Sequence, residues 1–131
     1  WNTKGFAFPA VGDFNGDNHP DLIVGNGRYD EGAVNVIYGP IAQGQKLFLE
    51  NITAKTTIVP NEFPQFISAQ FGNSIKPVKI DGSSCDGLLV GAPGFSRYST
   101  GSRTGEGGAF LFLGNTNPPP IIPSSASAAR F

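Results

Sequence analysis

Short apolar runs, each closed by glycine or a polar turn, follow one another along the chain. None of them extends into the 3.6-residue spacing of a long amphipathic helix. Val, Ile, Leu and Phe dominate these runs, so the pattern predicts an all-β fold of short strands. The predicted strands lie near residues 6–11, 22–24, 33–38 and within 46–59, then near 74–80, 88–90, 109–113 and, weakly, 121–122.

The predicted strands form two copies of one pattern. Residues 21–25 (DLIVG) resemble residues 87–91 (GLLVG), and residues 31–39 (EGAVNVIYG) resemble residues 106–114 (EGGAFLFLG). Each copy is predicted to be an antiparallel meander of four strands in about sixty residues, which is typical of a β-propeller blade. The sequence therefore predicts two four-stranded antiparallel blades of a β-propeller.

The repeats also predict how the chain is divided. The first blade is expected within residues 1–60 and the second within residues 61–114. Residues 115–131 are rich in Pro and Ser, and we expect either an outer strand or a linker leading to a next repeat, since residues 129–131 (ARF) resemble residues 69–71 (AQF). Two blades leave an apolar face open on each, so the chain is expected to belong to a longer propeller or a multi-chain assembly.

Residues 13–21 (DFNGDNHPD) have the composition of a calcium loop. Asp13, Asn15, Asp17 and Asp21 place side-chain oxygens at the first, third, fifth and ninth positions, and His19 offers its backbone carbonyl at the seventh. Three carboxylates and an amide oxygen suit Ca²⁺, which takes six to eight oxygen ligands. Position twelve lies within a predicted strand and is not Glu, so the loop is a hairpin calcium loop and not an EF-hand.

The corresponding loop of the second copy, residues 79–87, has lost most of these ligands. Lys79, Asp81, Ser83 and Gly87 occupy the four side-chain ligand positions. Lysine places a positive charge where a cation would bind, so we expect this loop to close without metal, held by Lys79 itself or by Asp86.

These motifs together resemble the FG-GAP repeat family. Residues 71–75 (FGNSI) followed by residues 91–93 (GAP) resemble the two parts of its signature, and residues 13–25 resemble its calcium hairpin. The first copy departs from the pattern, because residues 25–27 (GNG) replace GAP and residues 6–7 (FA) replace FG. The family includes integrin α subunits and the propeller of glycosylphosphatidylinositol-specific phospholipase D.

The resemblance implies a seven-bladed ring, calcium in the loops, and a function in extracellular protein binding, adhesion or assembly. Two alternatives stay open at this point. The blades could be a non-catalytic accessory module of a secreted hydrolase, or a structural subunit of a larger complex.

The net charge and the absence of common catalytic motifs make several classes of function less favoured for this chain. The formal net charge is −1, which gives no general attraction to nucleic acid. No run of about 18 apolar residues occurs, so direct membrane insertion is not expected. The sequence has none of the common nucleophile, phosphate-loop or zinc-protease motifs, and we expect no catalytic activity.

Two further loops are candidates for partner contact, because Tyr and Arg are frequent in interface hot spots. Asn51 begins an N-glycosylation tripeptide, which would suit a secreted protein. Cys85 is the only cysteine and is expected to be a structural thiol. The candidate partner residues are Arg28, Tyr29 and Asp30 in one loop, and Arg97, Tyr98 and Arg103 in the other.

Overall fold

The computed structural model describes residues 9–26, 32–61, 69–96 and 105–131. These residues form strands and two short 3₁₀ turns, at Leu49–Asn51 and Ser124–Ala126. The strands are β1 (Ala10–Gly12), β2 (Asp21–Gly25), β3 (Val34–Ile37), β4 (Lys55–Val59), β5 (Ser74–Val78), β6 (Gly87–Ala92), β7 (Gly108–Phe112), β8 (Ile121–Pro123) and β9 (Ala129–Arg130).

The strands build two sheets, one for each copy of the repeat. The first sheet has the order β1-β2-β3-β4-β8, and the second has the order β5-β6-β7-β9. Within each sheet the strands from one copy follow one another as an antiparallel meander. The predicted all-β fold with two antiparallel sheets is therefore confirmed.

The pattern of buried positions shows why these runs become strands. In β2, Asp21, Ile23 and Gly25 are buried and the residues between them are less so, as the two-residue period of a strand requires. All four residues of β3 are buried, because this strand is central in its sheet. Pro77 lies within β5, where its missing N–H is tolerated because β5 is an edge strand.

A shared core joins the sheets. The second blade enters this core through Phe71, whose ring meets those of Phe110 and Phe112 edge to face at centroid distances of 5.7 and 6.0 Å. The buried cluster draws on both sheets and consists of Phe14, Ile23, Val34, Val36, Ile58, Ala69, Phe71, Leu88, Val90, Ala92, Phe110 and Phe112.

The backbones of the two copies also touch, where the second repeat begins. Gly32 and Phe71 form an isolated parallel bridge. A Cβ on Gly25 would lie 2.1 Å from the carbonyl oxygen of Gly72, so only glycine permits this approach. Gly25, at the end of β2, and Gly72, directly after Phe71, are therefore two residues at which the backbones of the two copies come close together.

The last strand predicted for the second copy belongs to the first sheet, which corrects the sequence-based assignment. Residues 121–122 lie in β8, which pairs with β4 in parallel, and β9 takes the outer position beside β7. Proline explains why the chain reaches the first sheet here. Residues 118–120 are three prolines, which favour an extended chain and leave their carbonyls able to accept hydrogen bonds. Thr57 N–H donates to the Pro120 carbonyl at 2.9 Å.

Residues 115–131 therefore contact both sheets, and we call this segment the clasp. Asn61, just after β4, holds the clasp through its side chain. Its Nδ2 donates to Ser125 Oγ at 2.9 Å, and its Oδ1 accepts from Ser124 Oγ at 2.9 Å and from Ser125 N–H at 3.0 Å. Ser124 is fully buried whereas Asn61 is exposed, so this contact lies where the interior meets the surface.

Replacing Asn61 with alanine should remove these three hydrogen bonds and lower the free energy of unfolding by about 2 kcal/mol. Urea denaturation followed by fluorescence would measure the loss. Asn117→Ala is the matched control, because Asn117 is exposed in the clasp and its backbone N–H, which the substitution keeps, donates to Asn115 Oδ1. Equal stability of the two variants would contradict the role given to Asn61.

Some large apolar side chains remain exposed on the surface. Val11 is 63% exposed in the edge strand β1, and Ile121 is 61% exposed in the edge strand β8. The described residues contain no helix with the length and apolar character needed to span a membrane.

Candidate metal loop and its partner loop

The first loop, residues 13–21, joins β1 to β2 and winds around the side chain of Asp13. Asp13 Oδ1 accepts the Gly16 and Asp17 N–H groups at 2.7 and 3.1 Å, and Oδ2 accepts the Asn18 N–H at 2.9 Å. Aspartate side chains favour such turns because they satisfy backbone donors that a tight loop leaves unpaired. The first predicted ligand therefore organises the loop through its own hydrogen bonds.

Asp17 lies at the exposed tip of the loop. Its Oδ1 accepts the His19 N–H at 2.8 Å, and its Oδ2 accepts Asn15 Nδ2 at 2.9 Å. These two hydrogen bonds favour the carboxylate and lower the pKa of Asp17 below its ordinary value. His19 itself is exposed, and its backbone is what joins the loop.

Asp21, at the start of β2, ties the loop to the sheet. It is fully buried, and its carboxylate accepts the Phe14 N–H at 2.8 Å and the Gly39 N–H at 3.1 Å. Burial raises the pKa of Asp21 above its ordinary value although both hydrogen bonds act in the opposite direction.

All five predicted ligands, Asp13, Asn15, Asp17, His19 and Asp21, thus belong to one compact loop. Within the ranges that the structure describes, no three His, Cys, Asp or Glu side chains lie close enough together to hold a metal ion. The three carboxylates accept N–H groups of the loop, yet a carboxylate oxygen that accepts one hydrogen bond keeps a second lone pair. Calcium binding by this loop stays a prediction.

The second loop, residues 79–87, joins β5 to β6 and is closed by an ion pair. Lys79 Nζ lies 2.6 Å from Asp86 Oδ1, which involves the two residues that the sequence indicated. Burial raises the pKa of Asp86, but the hydrogen bonds from Lys79 and from the Asp13 N–H outweigh it and hold this pKa below its ordinary value. The hydrogen bond to Asp86 raises the pKa of Lys79.

The two loops lie against each other, a contact that sequence reasoning missed. Asp13 N–H donates to Asp86 Oδ2 at 2.9 Å, and Asp86 N–H donates back to the Asp13 carbonyl at 2.7 Å. Beside them, Asn115 N–H donates to the Phe14 carbonyl at 3.1 Å. The Phe14 side chain is 1% exposed, so the residue after the first predicted ligand is an anchor in the core.

Phe14 could have been found from the sequence, since a phenylalanine within an otherwise polar loop is a signal of inward packing. The contact between Asp13 and Asp86 had no such signal, because the two residues lie 73 positions apart.

The remaining predicted sites are less informative. Arg28, Tyr29, Asp30, Arg97, Tyr98 and Arg103 lie outside the described residues. Asn51, the predicted glycosylation position, is exposed at the end of a 3₁₀ turn.

Comparison with known proteins gives one family match. The family model for the FG-GAP repeat matches residues 7–37, a range that contains β1, the first loop, β2 and β3. A comparison with curated proteins finds no match to this chain.

Proposed function

Because the chain carries an FG-GAP repeat, the unit that forms β-propeller blades, we propose that it is a calcium-stabilised extracellular propeller scaffold for protein binding, adhesion or assembly. One observation carries the proposal: the matched repeat contains a loop whose sequence places three aspartates and an asparagine at its first, third, fifth and ninth positions. The scaffold is non-catalytic in this proposal, since the buried Asp21 and Asp86 both accept backbone N–H groups, which suits structural roles.

The donor chemistry of the first loop fits calcium. All of its side-chain donors are oxygens, as a hard cation prefers, and none is a thiolate. Asp13, Asn15, Asp17, Asp21 and the His19 carbonyl would hold the ion. When bound, Ca²⁺ would supply positive charge to balance the three carboxylates of the loop. Asp13 already shapes the turn, and Asp17 presents an exposed carboxylate at the tip of the loop.

An extracellular location is supported by two features. Hairpin loops of this charge suit the high calcium concentration outside cells, where modules bind with dissociation constants of about 0.1 to 1 mM. Asn51 is exposed, as glycosylation would require.

A role in assembly is supported by the exposed apolar residues of the edge strands. Val11 and Ile121 suit contact with further blades or a protein partner, and the loops of Arg28 and Arg97 remain the candidate contact sites.

Calorimetric titration with Ca²⁺ tests the proposal. Wild type should bind one ion, and Asp17→Ala should weaken the affinity about tenfold or more because it removes one charged ligand. Asp81→Ala is the matched control: it removes the same charge from an exposed position of the second loop and should leave the affinity unchanged. No binding by wild type, or equal binding by wild type and Asp17→Ala, would sink the proposal.

A further inference from the structure

Asp13 takes part in two separate sets of contacts. Its side chain accepts three N–H groups of the first loop, from Gly16, Asp17 and Asn18. Its backbone N–H and carbonyl both bond to Asp86, at 2.9 and 2.7 Å. Asp13 therefore organises the first loop and also contacts the second blade. Because both sets of contacts involve the same residue, a shift of the Asp13 side chain alters the position of the backbone groups that bond to Asp86.

Both carboxylate oxygens of Asp86 already have partners within the protein. Oδ1 pairs with Lys79 Nζ at 2.6 Å, and Oδ2 accepts the Asp13 N–H. The Asp86 side chain is 8% exposed, whereas that of Lys79 is 85% exposed. The carboxylate is thus a buried acceptor whose charge is balanced by a lysine at the surface.

The contact between the first loop and the rest of the chain also includes Phe14, the residue after Asp13. The carbonyl of Phe14 accepts from Asn115 N–H at 3.1 Å, and the Phe14 ring lies in the core shared by both sheets. Two consecutive residues of the first loop are therefore held by Asp86 of the second loop and Asn115 of the clasp, through three backbone hydrogen-bonding groups and one buried ring.

From these contacts we propose that Asp86 is a positioning residue for the first loop, and that cation binding there is coupled to docking of the two blades. The inference rests on the calcium binding proposed above. A cation that holds the Asp13 carboxylate restricts the Asp13 backbone and so favours its bonds to Asp86. Linkage makes the effect reciprocal, so docking of the second blade raises the affinity of the loop.

Calcium titration of two Asp86 variants tests the coupling. Asp86→Ala removes the acceptor and should weaken Ca²⁺ binding about fivefold or more. Asp86→Asn keeps an oxygen that can accept the Asp13 N–H and should bind within about twofold of wild type. Asp81→Ala, a charge removed elsewhere in the same loop, should bind as wild type does.

Hydrogen exchange gives a second readout that needs no variant of Asp86. Adding Ca²⁺ to wild type should slow exchange at the Asp86 and Asn115 amides, which donate to the first loop from the second loop and from the clasp. At a Ca²⁺ concentration that saturates wild type but leaves Asp17→Ala mostly unoccupied, exchange at both amides of the variant should stay close to its rate without Ca²⁺.

The outcomes separate this inference from the proposed function. Calcium binding by wild type that Asp17→Ala weakens and Asp86→Ala does not, or slowed exchange confined to residues 13–21, would overturn the coupling and leave calcium binding intact. Absence of any calcium binding by wild type would overturn both. Loss in Asp86→Ala with recovery in Asp86→Asn supports the coupling.

Discussion

Replacing Phe71 with alanine should lower the free energy of unfolding by about 4 kcal/mol. The ring is fully buried and packs edge to face against Phe110 and Phe112, so its removal loses transfer energy and leaves a cavity between strands that cannot close around it. Urea denaturation monitored by circular dichroism would measure the change.

Phe48→Ala is the control for this prediction, because Phe48 is 58% exposed. It should alter stability by no more than about 0.5 kcal/mol. A loss below about 1.5 kcal/mol for Phe71→Ala would show that the shared core does not depend on this ring.

Gly114→Ala should cost about 3 kcal/mol or more. A Cβ at this position would lie 2.3 Å from the carbonyl oxygens of both Asp86 and Phe14, and backbone atoms cannot move aside as a flexible side chain can. The substitution would force apart the contact between the first and second loops. Thermal and urea unfolding should both show the loss.

Gly82→Ala separates steric conflict from the cost of replacing a glycine. Gly82 has a φ of 75° and nothing within 4 Å of an added Cβ, so the change should cost only the roughly 1 kcal/mol of a left-handed backbone. Similar losses at the two positions would mean that the loops rearrange to accommodate the methyl group.

The sequence predicted the meanders because their signals are local. Runs such as that of β6 are apolar and end in glycine or a turn, and their pairing partner is the next run along the chain. β8 could not be assigned in this way. It has three residues, one of them proline, and its parallel partner β4 lies more than sixty residues earlier, so neither periodicity nor a turn specifies the pairing.

The candidate site shows the same division. The spacing of oxygen donors in residues 13–21 and the unusual Lys79 are properties of single loops, and both were visible in the sequence. The bonds between Asp13 and Asp86 arise only when the two blades pack together. The sequence of neither loop predicts the contact between Asp13 and Asp86, although each residue was noted separately for its charge.

The position of β8 has a consequence for synthesis of the protein. As the chain leaves the ribosome, the first four strands of the first sheet can pair early, but the edge of β4 must wait until residues 121–123 have emerged. Until then an unpaired strand edge is open to other nascent chains. A first repeat moved alone into another protein would therefore lack the strand that pairs with β4, because that strand is encoded after the second repeat.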